Sequence, residues 1–131
     1  MADISGTSGS DILTGTADDD VISAGYGSDS VDGGSGNDAI SDDGGIATSI
    51  AGGAGNDRIR FVDMLGSSSK LQAVRTSVAT EAGDGDDVVS FSSTRIGTRA
   101  ISLGSGDDVL LLGEDGGNYN FYTEALQLSL G

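Results

Sequence analysis

From Gly6 to Ser41 the chain reads G-T-S-G-S-D-I-L-T, G-T-A-D-D-D-V-I-S, A-G-Y-G-S-D-S-V-D and G-G-S-G-N-D-A-I-S, four consecutive frames of nine residues. The frame returns as G-G-A-G-N-D-R-I-R from Gly52, A-G-D-G-D-D-V-V-S from Ala82 and L-G-S-G-D-D-V-L-L from Leu103. Its sixth position is always Asp: Asp11, Asp20, Asp29, Asp38, Asp57, Asp87 and Asp108. Its eighth is always aliphatic: Leu13, Ile22, Val31, Ile40, Ile59, Val89 and Leu110. The fourth is Gly9, Gly27, Gly36, Gly55, Gly85 and Gly106, with Asp18 as the exception. A flexible acidic linker has no reason to hold two columns constant, so the pattern marks a stacked repeat.

The residue types dictate the local shape. Gly at the second and fourth positions admits left-handed backbone in a tight turn, so that carbonyl oxygens can face a common point. The last three residues form a short strand, whose period of two sends the eighth side chain inward and its neighbours outward. Each frame is then a half-turn, and two frames, 18 residues, close one rung of a flattened coil. The expected fold is all-β, a right-handed parallel β-solenoid filling residues 1–131 as a single domain. Regular repeats occupy 6–41, 52–60, 82–90 and 103–111; irregular crossings occupy 42–51, 61–81 and 91–102; a C-terminal strand region follows at 112–131.

Frame starts at 15, 33, 52, 82 and 103 differ by 18, 19, 30 and 21 residues, which puts these five turns on successive rungs of one edge. The turns at 6 and 24 belong to the opposite edge. Its next member, D-D-G-G-I-A-T-S-I from Asp42, lacks the sixth-position Asp, so that edge loses the repeat. The crossing at 61–81 has both helical spacing and the strand-like alternation Val74, Thr76, Val78, Thr80.

Composition excludes much chemistry. There is no His, Cys, Pro or Trp among the 131 residues, which removes a Ser-His-Asp triad, a thiol nucleophile, a disulfide, and zinc or haem sites of the usual ligands. Only oxygen ligands remain. With 21 acidic against 6 basic residues the net charge is −15, which opposes nucleic acid and anionic membranes and favours hard cations. All six bases (Arg58, Arg60, Lys70, Arg75, Arg95 and Arg99) follow residue 57, so the eleven acids up to that point have no base among them. The longest apolar run is about four residues against the ~20 of a membrane-spanning helix. The N-terminal residues M-A-D-I-S-G lack the basic and apolar regions of a signal peptide.

The frame resembles the nonapeptide G-G-x-G-x-D-x-U-x of the RTX (repeats-in-toxin) family, and the seven copies cover 63 of 131 residues. The resemblance implies a β-roll with calcium between stacked turns, held by the sixth-position carboxylates and by the carbonyls of the turn. The metal residues are then Asp11, Asp20, Asp29, Asp38, Asp57, Asp87 and Asp108 with Gly9, Gly27, Gly36, Gly55, Gly85 and Gly106, and Asp18 where the fourth Gly is missing. Five stacked turns on one edge and two on the other enclose about five calcium sites, which offset ten of the fifteen net negative charges. The resemblance also implies type I secretion to the cell exterior or surface, by which an unfolded chain leaves calcium-poor cytosol. The C-terminal export signal common in that family is not recognisable.

No pair among Asp63, Glu81, Glu114 and Asp115 forms a recognisable acid–base couple, so the expectation is a non-catalytic protein. Tyr119, Phe121 and Tyr122 pack over the end of the apolar column or stack on sugar rings. The second option belongs to an alternative reading, a polysaccharide-associated accessory module similar to those beside the catalytic domain of alginate epimerases. Finally, Leu128, Ser129, Leu130 and Gly131 repeat Ile101, Ser102, Leu103 and Gly104, while the N-terminal residues open directly into a strand and turn. Uncapped rungs at both ends suit head-to-tail self-association, with calcium sites completed between copies.

With so small an apolar fraction, 36%, and a charge of −15, folding should require the metal. Circular dichroism should show a largely disordered chain in chelator and a β-rich one with calcium at roughly 10⁻⁴ to 10⁻³ M. The same β spectrum in both conditions would contradict this.

Overall fold

The computed structural model of the protein describes residues 1–45, 47–62, 75–92, 96–112 and 126–129. The strands in chain order are β1 (Asp3–Ser5), β2 (Ile12–Thr14), β3 (Val21–Ser23), β4 (Tyr26–Gly27), β5 (Ser30–Ser35), β6 (Ala39–Asp42) and β7 (Gly44–Gly45). They continue with β8 (Ala47–Ala54), β9 (Arg58–Val62), β10 (Arg75–Asp84), β11 (Val88–Ser92), β12 (Ile96–Ser102), β13 (Val109–Leu112) and β14 (Leu126–Ser129). Among the described residues there is no helix.

Among the described residues two six-stranded sheets result, β1-β3-β6-β9-β11-β13 and β2-β5-β8-β10-β12-β14, with β4 and β7 bridging two turns. The pairing is parallel throughout, for example Ile22 with Ile40 and Ile59 with Val89. Successive strands of the chain fall alternately in the two sheets, which makes the molecule a parallel β-solenoid. The strand after each turn at 15, 33, 52, 82 and 103 lies in one sheet in the order the spacing requires.

Inward side chains form the core. In one sheet Ile22, Ile40, Ile59 and Val89 stack in register and are buried. In the other, Val31, Ile50 and Ile101 are buried in one column, with Thr80 between the last two. Identical residues at one register repeat the same packing rung after rung, which is how a narrow core excludes water with so few large side chains. A second column in the first sheet runs through Asp42, Phe61 and Phe91. The two rings stack with centroids 4.7 Å apart and planes 6° from parallel.

Later strands exceed the three residues of the frame because the turn itself joins the ladder: Gly34 pairs with Gly53, and Gly53 with Gly83. Of the crossing at 61–81, residues 75–81 are strand, in β10, which carries Thr76, Val78 and Thr80; residues 63–74, Val74 among them, lie outside the described ones. At 42–51 the register shows one extra residue. Tyr26 pairs with Gly44, two residues into the frame from Asp42, yet Val31 pairs with Ile50 rather than with Ser49. The added residue keeps an aliphatic side chain in the column and accounts for the 19-residue step. At the C-terminus Ile101 pairs with Leu128 and Ser102 with Ser129, as their similarity predicts; Leu130 and Gly131 lie outside the described residues.

The fourth-position glycines are not equivalent. Gly85 has φ of 138° and an added Cβ would lie 2.1 Å from the Gly55 carbonyl oxygen, so any side chain there pushes two rungs apart. An added Cβ on Gly9 meets nothing nearer than Thr7 Oγ1 at 3.7 Å. Gly85→Ala should therefore lower the melting temperature of the calcium-loaded protein by several degrees, about 4 °C or more per kcal/mol lost. Gly9→Ala should be nearly neutral; equal melting temperatures for the two variants would contradict the stacking.

Candidate metal centre

The sixth-position carboxylates are set by the strand that follows them. Each Asp precedes an inward-facing strand residue by two positions, so it shares the inward face and is withdrawn into the edge of the roll. Asp20, Asp29, Asp38, Asp57 and Asp87 are all buried, and Asp108 is half-buried.

On the edge of five turns these residues form a ladder. The Asp20 N–H donates to Asp38 Oδ1 at 2.8 Å, the Asp38 N–H to Asp57 Oδ1 at 2.8 Å, the Asp57 N–H to Asp87 Oδ1 at 2.8 Å, and the Asp87 N–H to Asp108 Oδ1 at 3.0 Å. On the other edge the Asp11 N–H donates to Asp29 Oδ1 at 3.0 Å. The structure thus joins Asp20, Asp38, Asp57, Asp87 and Asp108 along one edge and Asp11 with Asp29 along the other, as the spacing predicts.

The second oxygen separates the turns into two kinds. In Asp29, Asp38, Asp57 and Asp87, Oδ2 is buried with no hydrogen-bond partner. In Asp11 and Asp20, Oδ2 is taken up by a threonine at the second position of the turn. The Thr7 N–H and Oγ1 donate to Asp11 Oδ2 at 2.6 and 2.9 Å, and the Thr16 N–H and Oγ1 donate to Asp20 Oδ2, the hydroxyl at 2.9 Å. Each hydroxyl also accepts at 3.1 Å from the N–H two residues on, Gly9 or Asp18. The turns from 24, 33, 52 and 82 have Gly at the second position, which brings no hydroxyl, and there the backbone N–H does not bond Oδ2 either. Composition of the frame hid this difference, but the departure from Gly at Thr7 and Thr16 is visible in the sequence.

The electrostatics follow. Burial pushes the Asp29, Asp38 and Asp87 carboxyls above the ordinary range and Asp57 up to about 6, and neighbouring aspartates add to the rise. The Thr16 N–H does most to hold Asp20 below it. A buried carboxylate with one oxygen lacking a donor is costly, at least roughly 1–3 kcal/mol per orphaned atom and more when charged. A hard divalent cation between turns removes that cost, because it accepts six to eight oxygens at about 2.3–2.6 Å with flexible geometry. The donor set fits calcium: carboxylate oxygens without competing donors, on turns made of backbone carbonyls. Among the described residues no three acidic side chains converge on a point. The ladder spaces its carboxylates one strand separation apart, about 4.8 Å, so a gap draws on two and takes its other ligands from backbone oxygens.

Residues 5–40 and 44–60 match the family model of the RTX calcium-binding nonapeptide repeat, in four copies. The matched residues are RTX-type calcium-binding nonapeptide repeats. No curated protein and no solved structure matches it significantly. The RTX turns from Ala82 and Leu103 lie beyond the matched residues, yet they carry the same Asp ladder through Asp87 and Asp108. Of the fourth-position residues, Gly27, Gly36, Gly55, Gly85 and Gly106 have left-handed φ, between 109° and 142°. Gly9 and Asp18 belong instead to the threonine-closed turns. Of the four off-repeat acids weighed as an acid–base couple, Glu81 is exposed, and Asp63, Glu114 and Asp115 lie outside the described residues.

Raised folded-state carboxyls have a definite pH signature in the metal-free chain. The folded form holds more protons than the unfolded form between about pH 4 and the value of about 6 for Asp57, so stability present at low pH is lost as pH rises through that window. Metal-free protein should gain β signal as the pH falls from about 6 towards 4. Calcium-loaded protein should behave oppositely, since protons compete with the metal. A metal-free β signal that is flat or falls on acidification contradicts the account.

Proposed function

We propose that this chain is a non-catalytic structural module of a secreted protein, exported unfolded by a type I route and closed into its roll by calcium outside the cell. The observation that carries this reading is the set of orphaned oxygens on Asp29, Asp38, Asp57 and Asp87. Where calcium is scarce they oppose folding, and where it is abundant they become ligands, so the roll is stable only on one side of the membrane. The net charge of −15 has the same sense, since about five divalent ions offset most of it.

Its structural role is end-to-end stacking into extracellular filaments, matrix or surface layer. Among the described residues the sheets run from β1 and β2 to β13 and β14, and a parallel strand at such an edge offers one row of backbone groups to a further rung. Ile12 on β2 is 86% exposed at such an edge. A rung of a second copy presents the same spacing of donors, acceptors and aliphatic side chains, and its contact is of the head-to-tail, non-closing kind. The accessory polysaccharide module leans on Tyr119, Phe121 and Tyr122, which lie outside the described residues, and no observation on the roll favours it.

Sedimentation of tag-free protein at high micromolar concentration should show calcium-dependent oligomers that grow with concentration and dissolve in chelator. A calcium-loaded monomer that shifts on a polyuronate gel supports the accessory module instead, and a monomer indifferent to the gel overturns both roles.

A further inference from the structure

Only two of the seven turns carry a side chain at the second position of the frame, Thr7 and Thr16; the others have Gly25, Gly34, Gly53, Gly83 and Gly104. These five glycines take left-handed φ, between 85° and 117°, and a Cβ added to any of them would collide with a carbonyl oxygen of the rung before. The Thr7 and Thr16 carbonyls themselves exclude a Cβ from Gly25 and Gly34. Among the described residues no turn stacks before those of Thr7 and Thr16, so threonine stands at the one place on each edge where stacking leaves room for it.

At that place the threonine is aimed at the carboxylate of its own turn. Its N–H and Oγ1 both donate to Oδ2, with the hydroxyl 2.9 Å from Asp11 Oδ2 in one turn and 2.9 Å from Asp20 Oδ2 in the other. The same hydroxyl accepts the N–H of Gly9 or Asp18 at 3.1 Å, which leaves its own hydrogen for the carboxylate. Oδ1 of Asp20 takes the Ala2 N–H as well, so both oxygens of that residue have donors. Donors of this kind stabilise the anion without a metal, and their hydrogens stand where a cation would approach Oδ2. Asp29, Asp38, Asp57 and Asp87 show the opposite state, with Oδ2 buried and without a donor.

We propose that Thr7 and Thr16 decide which turns take calcium: on the first carboxylate of each edge their amide and hydroxyl occupy the place of the ion, and calcium binds through carboxylates whose turn has glycine at the second position. This selection rests on the calcium-closed reading of the roll and narrows it, since Asp11 and Asp20 leave the ligand set that the frame alone implies. Interior turns cannot copy the device, because a side chain at their second position meets the backbone of the neighbouring rung.

The test is the number of calcium ions per full-length chain, by equilibrium dialysis and elemental analysis, with a cooperative melt in calcium as the sign that each variant folds. Thr16→Gly frees Asp20 Oδ2 and should bind one ion more than the parent. Thr16→Ser keeps the hydroxyl and should keep the parent's count. Adding Asp20→Asn to Thr16→Gly should abolish the gain, which a merely structural role of Thr16 would not produce. Thr7→Gly reads the same gain on the other edge, through Asp11, should Thr16→Gly fail to fold. A folded Thr16→Gly or Thr7→Gly protein with the parent's calcium count overturns the selection. A parent that folds without binding calcium overturns the roll reading itself, and the two failures are thus distinct.

Discussion

Everything in this fold depends on a carboxylate that is half satisfied. At each interior turn the sixth-position Asp gives one oxygen to the backbone N–H of the neighbouring rung, which fixes the stacking, and leaves the other oxygen buried without a donor. The first bond is a structural rail that runs the length of the roll. The second oxygen makes the rail conditional, because a buried anion without a partner destabilises the state that buries it. On the calcium-closed reading proposed above, the narrow core does not offset several such groups and the fold waits for a cation.

The N-terminal turns show what the alternative looks like. Thr7 and Thr16 close the same carboxylate with a backbone N–H and a hydroxyl, and Asp20 is held ionised where the later aspartates are pushed towards protonation. One substitution in the frame, Gly to Thr at the second position, replaces the need for an external ligand with an internal one. The roll therefore grades from self-satisfied turns at residues 6–20 to turns at residues 24–90 whose second carboxylate oxygen is orphaned.

Most of this architecture was legible in the sequence because solenoid repeats write tertiary contacts into local spacing. The columns at Asp38, Asp57 and Asp87 and at Ile40, Ile59 and Val89 are adjacent in space for the same reason that they are equivalent in the frame. The second edge was less legible. A single extra residue moves Thr48 into the place of Asp and keeps Ile50 in the core, and no column count reveals where a one-residue insertion is absorbed. The two kinds of turn were also hidden, since Thr at the second position looks like tolerated variation until its hydroxyl is seen on the carboxylate.

The most direct measurement is anomalous diffraction from crystals of the calcium-loaded protein. The account predicts calcium peaks between successive turns, within about 2.3–2.6 Å of Oδ2 of Asp38, Asp57 and Asp87. A roll with the same Asp ladder whose Oδ2 atoms meet only water or protein donors, with no anomalous peak beside them, would contradict it.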